Sequence, residues 1–165
     1  MSDHSFDLAD RATFTHWVTD RIRFSDTDAQ GHVNNVAIAA YVETGRLMFG
    51  HDIVRDLPSA NGTVDSGNGD GGRTAAADDD PTEESGAVLA HLSIDFRQEL
   101  FFPGTIDIGN RVVRIGRSSY MVGTGVFCAE RCIATATGVI VTMRAGRPSP
   151  IPPETRARLT ELLTT

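Results

Sequence analysis

The chain has 165 residues, of which 40% are hydrophobic, and a formal net charge of −7. This length suffices for one domain with a buried core, and no stretch approaches the roughly 20 apolar residues of a membrane span. The first residues are acidic and contain no apolar run, so a secretory signal is not expected and a cytoplasmic location is the default.

The negative charge is concentrated in one segment. Between residues 56 and 86 there are eight acidic residues and a single base, Arg73, so this segment alone carries the excess. The remainder is neutral and gives no electrostatic reason to expect binding to nucleic acid or to an anionic membrane. Because residues 58–86 are rich in glycine and acids and poor in hydrophobes, they are predicted to be a disordered insertion, with a lid or a partner-binding tail as the alternative.

The two cysteines, Cys128 and Cys132, are expected to be free thiols in a reducing compartment. No second Cys or His pair stands at ligand spacing, so a zinc site is not expected.

The first elements in chain order are a strand and a helix. Residues 1–12 are mostly polar and are predicted to be disordered. The alternation over residues 13–24 predicts a strand, and residues 36–49 predict a helix that Asn34 or Asn35 can cap. The first two turns of this helix are apolar nearly all round, which is typical of a helix enclosed by other structure.

Four consecutive strands follow the acidic segment. Residues 87–97 alternate clearly, and further strands are predicted at 105–116, 118–129 and 131–144. A short helix is expected to begin at Pro152. Consecutive strands with short turns form an antiparallel meander, so the pattern predicts an α+β fold in which the sheet wraps around the one apolar helix.

The polar segment between the first strand and the helix is the strongest functional signal. Residues 26–35 contain two carboxylates, an imidazole, three carboxamides and a turn glycine. They stand where a helix begins, and a helix N-terminus offers free backbone N–H groups to a developing negative charge. The segment is therefore predicted to be an active site.

These residues also carry a resemblance to a known family. The chain resembles the hotdog-fold acyl-CoA thioesterases of the 4-hydroxybenzoyl-CoA thioesterase-like family, and residues 32–35 are also similar to those of acyl-carrier-protein thioesterases. The resemblance depends chiefly on the pattern Phe24-x-Asp26-x-Asp28-x-x-Gly31-His32-Val33-Asn34-Asn35. It extends to Tyr41, to residues 92–96, to residues 114–120 and to residues 146–152.

The resemblance implies a single hotdog domain over residues 13–165, with a five- to six-stranded antiparallel sheet around a long central helix. It implies sheets paired edge to edge in a dimer or tetramer, with the active sites at the interface between subunits. The substrate would be an acyl-CoA or acyl-carrier-protein thioester, and no metal or organic cofactor would be needed.

The same resemblance implies roles for the residues of the motif. Asp28 would be the catalytic carboxylate, acting either as a nucleophile or as a general base for water. The backbone amide of Asn35 would stabilise the thioester oxyanion. His32 would either orient Asp28 or water or be structural, and Asn34 would either cap the helix or hold water. Asp26 is expected to tie the loop to the first strand.

A basic turn is the candidate for coenzyme A. Arg114, Arg117, Ser118 and Ser119 combine guanidinium and hydroxyl groups that suit phosphates, and a solvated hairpin turn is the alternative.

Two other functions remain open at this stage. Hotdog enoyl-CoA hydratases or dehydratases place Asp and His five residues apart, whereas His32 follows Asp28 by four and Asp26 by six. A non-catalytic acyl-thioester-binding protein is the other alternative, and the presence of Asp28 argues against it.

Overall fold

The computed structural model describes residues 6–55 and 85–164. The insertion expected at 58–86 therefore lies outside the described residues except for its last two, which already belong to a strand. Of the N-terminal segment expected to be disordered, residues 1–5 also lie outside. Residues 6–12 make defined contacts, because Asp10 accepts a hydrogen bond from Ala12 N–H at 2.9 Å and caps a 3-10 turn at Arg11–Thr13.

The described residues form six strands and two α-helices. In chain order these are β1 (His16–Arg21), α1 (Asn35–Arg55), β2 (Ser85–Phe96), β3 (Thr105–Ile115), β4 (Ser119–Cys128), β5 (Arg131–Arg144), β6 (Arg147–Pro148) and α2 (Pro153–Thr164).

One antiparallel sheet contains all the strands. Its order is β1-β3-β4-β5-β2, and the two residues of β6 pair with the end of β5. β1 and β2 are therefore the two edge strands, although they are consecutive in the chain. The predicted α+β fold, a curled antiparallel sheet of five to six strands packed on a helix, is confirmed, with a central helix of modest length at 21 residues.

The helix α1 lies close against the middle of the sheet. A Cβ at Gly45 would overlap Ile108 Cγ2 of β3 and would lie 3.0 Å from Asn110 Nδ2. Ile38, Tyr41 and Val42 of the same helix belong to the main buried cluster. The absence of a side chain at residue 45 thus fixes the distance between α1 and the sheet.

The structure corrects the predicted limits of the first two elements. The strand expected at residues 13–24 is only the six-residue β1, and Phe24 begins a 3-10 turn at Phe24–Asp26 with 75% of its surface exposed. The reason is the Asp26 carboxylate, which accepts a hydrogen bond from Arg23 N–H at 2.8 Å and turns the chain. The helix expected to end at residue 49 continues to Arg55.

The expectation that the first turns of α1 are enclosed is wrong. Val36 is 79% exposed, and Leu47 and Met48 farther along are exposed as well. The apolar surface of α1 extends beyond the area that the sheet of the same chain covers. Both cysteines are free, as predicted, and within the described residues no helix is long and apolar enough to cross a membrane.

Candidate active site

The segment between β1 and α1 folds into a closed loop. The Asp28 N–H donates to the His32 carbonyl at 2.8 Å, and the Gly31 N–H donates to the Asp28 carbonyl at 3.0 Å. Gly31 has a φ of +84°, a value that side chains other than glycine resist. The glycine of the motif therefore closes the loop, as the sequence predicted.

In the closed loop, the two carboxylate oxygens of Asp28 differ in their hydrogen bonding. Oδ1 accepts hydrogen bonds from Gln30 N–H at 2.8 Å and from His32 N–H at 3.1 Å. Oδ2 has no hydrogen-bond partner in the part of the chain that the structure describes, and the residue is exposed. One oxygen thus fixes the orientation of the carboxylate, while the other is available to react.

The start of α1 is held by Asn34. Its Oδ1 accepts a hydrogen bond from Ala37 N–H at 2.8 Å, and its Nδ2 donates to the Asp26 carbonyl at 2.7 Å. Of the two roles considered for Asn34, the geometry supports the helix cap, because both groups of the carboxamide are already bonded. The N–H groups of Asn35 and Val36 have no partner among residues 6–55 and 85–164, so they remain available to a ligand.

A second anchor lies beneath the loop. The Tyr41 hydroxyl of α1 donates a short hydrogen bond to Asp26 Oδ2, the oxygen that also accepts from Arg23 N–H. Burial, and next the hydrogen bond to Asp26, raise the pKa of Tyr41 well above its ordinary value, so the phenol stays protonated. Asp26 therefore ties the loop to the helix as well as to the end of β1.

His32 lies at the other side of the loop. Its ring packs edge-on against Phe101 at 4.9 Å between centroids, and its Nε2 is 3.9 Å from Glu99 Oε1. The backbone of His32, rather than its ring, contacts Asp28. This placement supports the structural alternative for the imidazole more than a direct role in orienting the carboxylate.

All four residues that the sequence assigned to catalysis line one cleft. The cleft has a volume of about 550 Å³. One wall is formed by the loop and the start of α1, and the opposite wall by residues 96–100, which are the last residue of β2 and the four that follow it. Asp28, whose Oδ2 has no partner in the described chain, and Asn35, whose N–H is free there, therefore line a common space that is large enough for an acyl thioester group.

The opposite wall was missed by the sequence analysis. Gln98 and Glu99 line the cleft, and the N–H groups of Arg97 and Gln98 both donate to the Ile133 carbonyl, at 2.8 and 3.2 Å. Nothing in the sequence marks these residues, because they follow an ordinary alternating strand. They reach the loop only because β2 pairs with β5 at the edge of the sheet. The alternation ending at Phe96 could at most have indicated a loop here.

The residues proposed for coenzyme A are only partly brought together. Arg114 and Ser119 line a separate cleft of about 300 Å³, together with Met121 and Val139. Arg117 and Ser118 do not line it. Their carbonyls accept hydrogen bonds from Ile151 N–H at 3.0 Å and Thr142 N–H at 2.8 Å, so their backbone joins this turn to neighbouring segments.

The described residues contain no group of three or more His, Cys, Asp or Glu side chains placed to hold a metal ion.

Comparison with family models gives one match. The model of the thioesterase-like superfamily matches residues 22–159, which include the loop, α1 and every described strand except β1. No curated protein sequence matches the chain.

Solved structures of several bacterial proteins share the fold. A thioesterase from Thermus thermophilus, complexed with coenzyme A and Zn, is 25% identical with a TM-score of 0.68, over 90% of this chain and 94% of that one. A protein of Pseudomonas aeruginosa strain PAO1 is 26% identical with a TM-score of 0.69, over 92% and 94% of the two chains. A thioesterase superfamily protein from Jannaschia sp. CCS1 is 22% identical with a TM-score of 0.70, over 96% and 89%. The hotdog fold implied by the resemblance is thereby confirmed.

Proposed function

The chain belongs to the thioesterase-like superfamily, and on that premise we propose that it hydrolyses an acyl-CoA thioester to the free acid and CoA, in the manner of the 4-hydroxybenzoyl-CoA thioesterase-like enzymes. The observation that carries the proposal is the asymmetry of Asp28. Asp28 lines the cleft, its Oδ1 is held by two backbone N–H groups, and its Oδ2 has no partner in the described chain.

Either of two reactions suits this carboxylate. As a nucleophile, Oδ2 attacks the thioester carbonyl, the C–S bond breaks, and CoA leaves as a thiolate that takes up a proton; water then hydrolyses the mixed anhydride. As a general base, Oδ2 takes a proton from water as the water attacks the carbonyl directly; the C–S bond then breaks, and the CoA thiolate leaves and takes up a proton. Single turnover in ¹⁸O-labelled water tests for the nucleophilic route, because attack of water on the aspartyl carbonyl of the anhydride leaves ¹⁸O in Asp28 and protein oxygen in the first acid released, whereas the general-base route leaves no label in the protein.

The thioester oxygen gains negative charge in both reactions. The N–H of Asn35 is free at the first position of α1 and lines the same cleft as Asp28. A donor of this kind stabilises the developing charge, and the loss of one typically costs about 10²–10³ in rate. Because the donor belongs to the backbone, the side chain of Asn35 is not required for this role.

The cleft of Arg114 and Ser119 is the proposed contact for the nucleotide part of CoA. A guanidinium and a hydroxyl at one opening suit phosphate, and the Thermus thermophilus relative is complexed with coenzyme A. An acyl-carrier-protein thioester is the alternative donor of the acyl group. Comparing KM for acyl-CoA and for acyl-phosphopantetheine in wild type and Arg114→Ala tests this, since the variant should lose several-fold affinity only for the CoA ester.

The proposal is tested by assaying a panel of acyl-CoAs with wild type and Asp28→Asn. The asparagine keeps Oδ1 as an acceptor for the two N–H groups, so the loop should fold while hydrolysis falls by at least about 10²-fold. Glu130→Gln, an exposed change in the β4–β5 turn, is the matched control and should retain full activity.

Three results would contradict the proposal. Equal rates in wild type and Asp28→Asn would remove Asp28 from the chemistry. Acyl-CoA binding without hydrolysis of any thioester would indicate a binding protein. Hydration of an enoyl-CoA would indicate the hydratase reaction, which the packing of the His32 ring against Phe101 does not favour.

A further inference from the structure

A second cleft lies between α1 and the sheet, away from Asp28. It has a volume of about 390 Å³ and is formed by the second half of α1, by residues 87–89 of β2 and by parts of β4 and β5. Its lining shares no residue with the lining of the Asp28 cleft, which consists of the loop, the start of α1 and residues 96–100. The two clefts of one chain can therefore hold separate ligands.

Most of the lining of this second cleft is apolar. Phe49 of α1, Val122 of β4 and Ile140 of β5 line it and are buried. Leu47 and Val88 line it as well, and both are exposed to solvent. An aliphatic chain that entered the cleft would remove this apolar surface from water, which stabilises the complex.

A guanidinium interrupts the apolar lining. Arg46 of α1 lines the cleft with its side chain only 13% exposed, and its stem passes over Gly138, where a Cβ would lie 3.6 Å from Arg46 Cδ. Its Nε is buried and has no hydrogen-bond partner in the described chain, while a terminal nitrogen is 3.6 Å from Glu43 Oε1. Because the Glu43 side chain is exposed, water screens this contact, which compensates the largely buried charge only in part.

A second donor belongs to the same lining. Tyr120 of β4 lines the cleft, and the structure gives its hydroxyl no hydrogen-bond partner among the described residues. Burial raises the pKa of Tyr120, and the nearby positive charge of Arg46 offsets part of this effect. The phenol is therefore protonated at neutral pH and can donate a hydrogen bond to a ligand.

The described lining of the second cleft contains no carboxylate. Arg46 and His51 are its charged or titratable basic residues, and none of the lining residues is Asp or Glu. His51 is exposed, and its Nδ1 is 3.3 Å from Asp52 Oδ1, outside the lining. An anion that entered the cleft would therefore meet two donors, Arg46 and Tyr120, and no like charge in the lining.

We propose that this cleft is a separate binding site for a free carboxylic acid, whose aliphatic tail packs on Phe49 and Ile140 and whose carboxylate binds Arg46 and Tyr120. A guanidinium holds a carboxylate through two parallel N–H donors, and Nε with one terminal nitrogen forms such a pair. A neutral head group on the same tail gains no such ion pair. The acid released by the proposed hydrolysis belongs to this ligand class, and only that link rests on the proposed function.

Calorimetric titration with octanoate and with octanol tests the site without any thioester. The two probes have the same tail, so the guanidinium should make octanoate bind at least about 10-fold more tightly at pH 7. Arg46→Met keeps an unbranched stem over Gly138 and should lower the affinity for octanoate at least about 10-fold, with octanol unchanged. Arg21→Met, which removes an exposed charge from β1, is the matched control and should bind both probes as wild type does. Tyr120→Phe should lose several-fold affinity for octanoate alone.

The position of the bound probe is tested by filling the cleft and by amide NMR shifts. Gly50 lines the cleft, and a Cβ there meets no atom within 4 Å, so Gly50→Phe should fold and bind neither probe, whereas Gly50→Ala should bind both. In ¹⁵N-labelled wild type, octanoate should shift the amide signals of residues 46–51 and 87–89 most. Residues 28–35 report binding at the Asp28 cleft instead.

The outcomes separate this inference from the proposed function. Equal affinities of wild type for octanoate and octanol, or undiminished octanoate affinity in Arg46→Met, would overturn the carboxylate site. So would the absence of octanoate binding, or shifts confined to residues 28–35, which would mean that the acid binds only where the thioester reacts. If wild type hydrolyses no thioester, the proposed function fails, while the titrations still decide whether Arg46 holds a carboxylate.

Discussion

The two edge strands of the sheet meet their surroundings in opposite ways. β1 has six residues that alternate between half-buried and exposed, and it ends beside the ion pair of Arg23 with Asp20 at 3.1 Å. Arg11 lies over one face of this strand, 4.6 Å from the centre of the Trp17 ring and 3.1 Å from Asp107 of β3. β2 is twice as long and exposes large apolar side chains. A short, charged edge resists association, whereas a long apolar edge invites it.

The difference between the two edge strands extends to the two walls of the active-site cleft, because each wall follows one of these strands. The loop with Asp28 follows β1 and is anchored inside its own chain, through Asp26 to Tyr41 and through Asn34 to α1. The opposite wall follows β2 and is held through its backbone, by hydrogen bonds from Arg97 and Gln98 N–H to the Ile133 carbonyl and from Val33 N–H to the Leu100 carbonyl. We therefore expect changes near β1 to alter folding stability and changes on β2 to alter association.

The largest effect is expected from a charge on the apolar edge. The resemblance implies that the sheets of two copies pair edge to edge, and Leu92→Arg places a guanidinium on the apolar edge strand β2, where an unpaired charge would lose its hydration on pairing. The dimer dissociation constant should rise at least about 100-fold, and hydrolysis should fall with it. Sedimentation and the thioesterase assay measure the two quantities on the same sample.

Thr19→Arg on β1 is the matched change on the other edge. Thr19 is exposed and its hydroxyl donates to Asp107 Oδ1 at 2.9 Å, so an arginine there can pair with the same carboxylate. Association and activity should be unchanged. Equal loss of association in both variants would mean that the two edges do not differ as described.

A smaller effect, on stability alone, is expected at the anchor beneath the loop. Tyr41→Phe removes the hydrogen bond to Asp26 and should lower the free energy of unfolding by about 1–3 kcal/mol at pH 7. Because the folded-state pKa of Tyr41 lies above the ordinary value of 10.0, the stabilisation is complete below pH 10. At higher pH the unfolded chain loses the phenolic proton first, which favours unfolding, so the stabilisation declines.

Urea unfolding at pH 7, 10 and 11 measures this dependence. The difference in stability between wild type and Tyr41→Phe should shrink above pH 10, and the association state should not change. A difference that grows with pH in this range would contradict the protonated phenol.

The smallest effect is expected when two adjacent asparagines, Asn34 and Asn35, are each replaced by alanine and the stabilities of the two variants are compared. Asn34→Ala removes the cap of α1 and should cost about 1 kcal/mol of stability, with a modest loss of activity as the helix start loosens. Asn35→Ala should cost little in either respect, because the proposed oxyanion donor is its backbone N–H. A large loss of kcat in Asn35→Ala, at unchanged thermal stability, would show that the side chain itself contacts the substrate.

The sequence predicted the regular part of the fold well because its signal is local. Period-two alternation and glycine or proline turns placed β3, β4 and β5 within about a residue of their observed limits. The loop glycine was also predicted, and Asn34 was one of the two residues expected to cap the helix, since both features are decided by neighbouring residues. β1 was predicted too long because the turn at Phe24–Asp26 depends on a single carboxylate that reaches back to Arg23 N–H.

What the sequence did not predict depends on contacts between distant segments. Gln98 and Glu99 reach the cleft only because β2 lies beside β5 at the edge, and Ile133 then positions the backbone that follows β2. The exposure of Val36 and Leu47 was likewise missed. An apolar helix surface indicates that something covers it, and periodicity cannot say whether the cover belongs to the same chain.

The close approach of Gly45 to Ile108 has a practical consequence for protein engineering. A side chain at residue 45 would push α1 away from β3 and shift every group at the helix start, including the N–H of Asn35. Residue 45 should therefore be held constant in any library designed to change acyl preference.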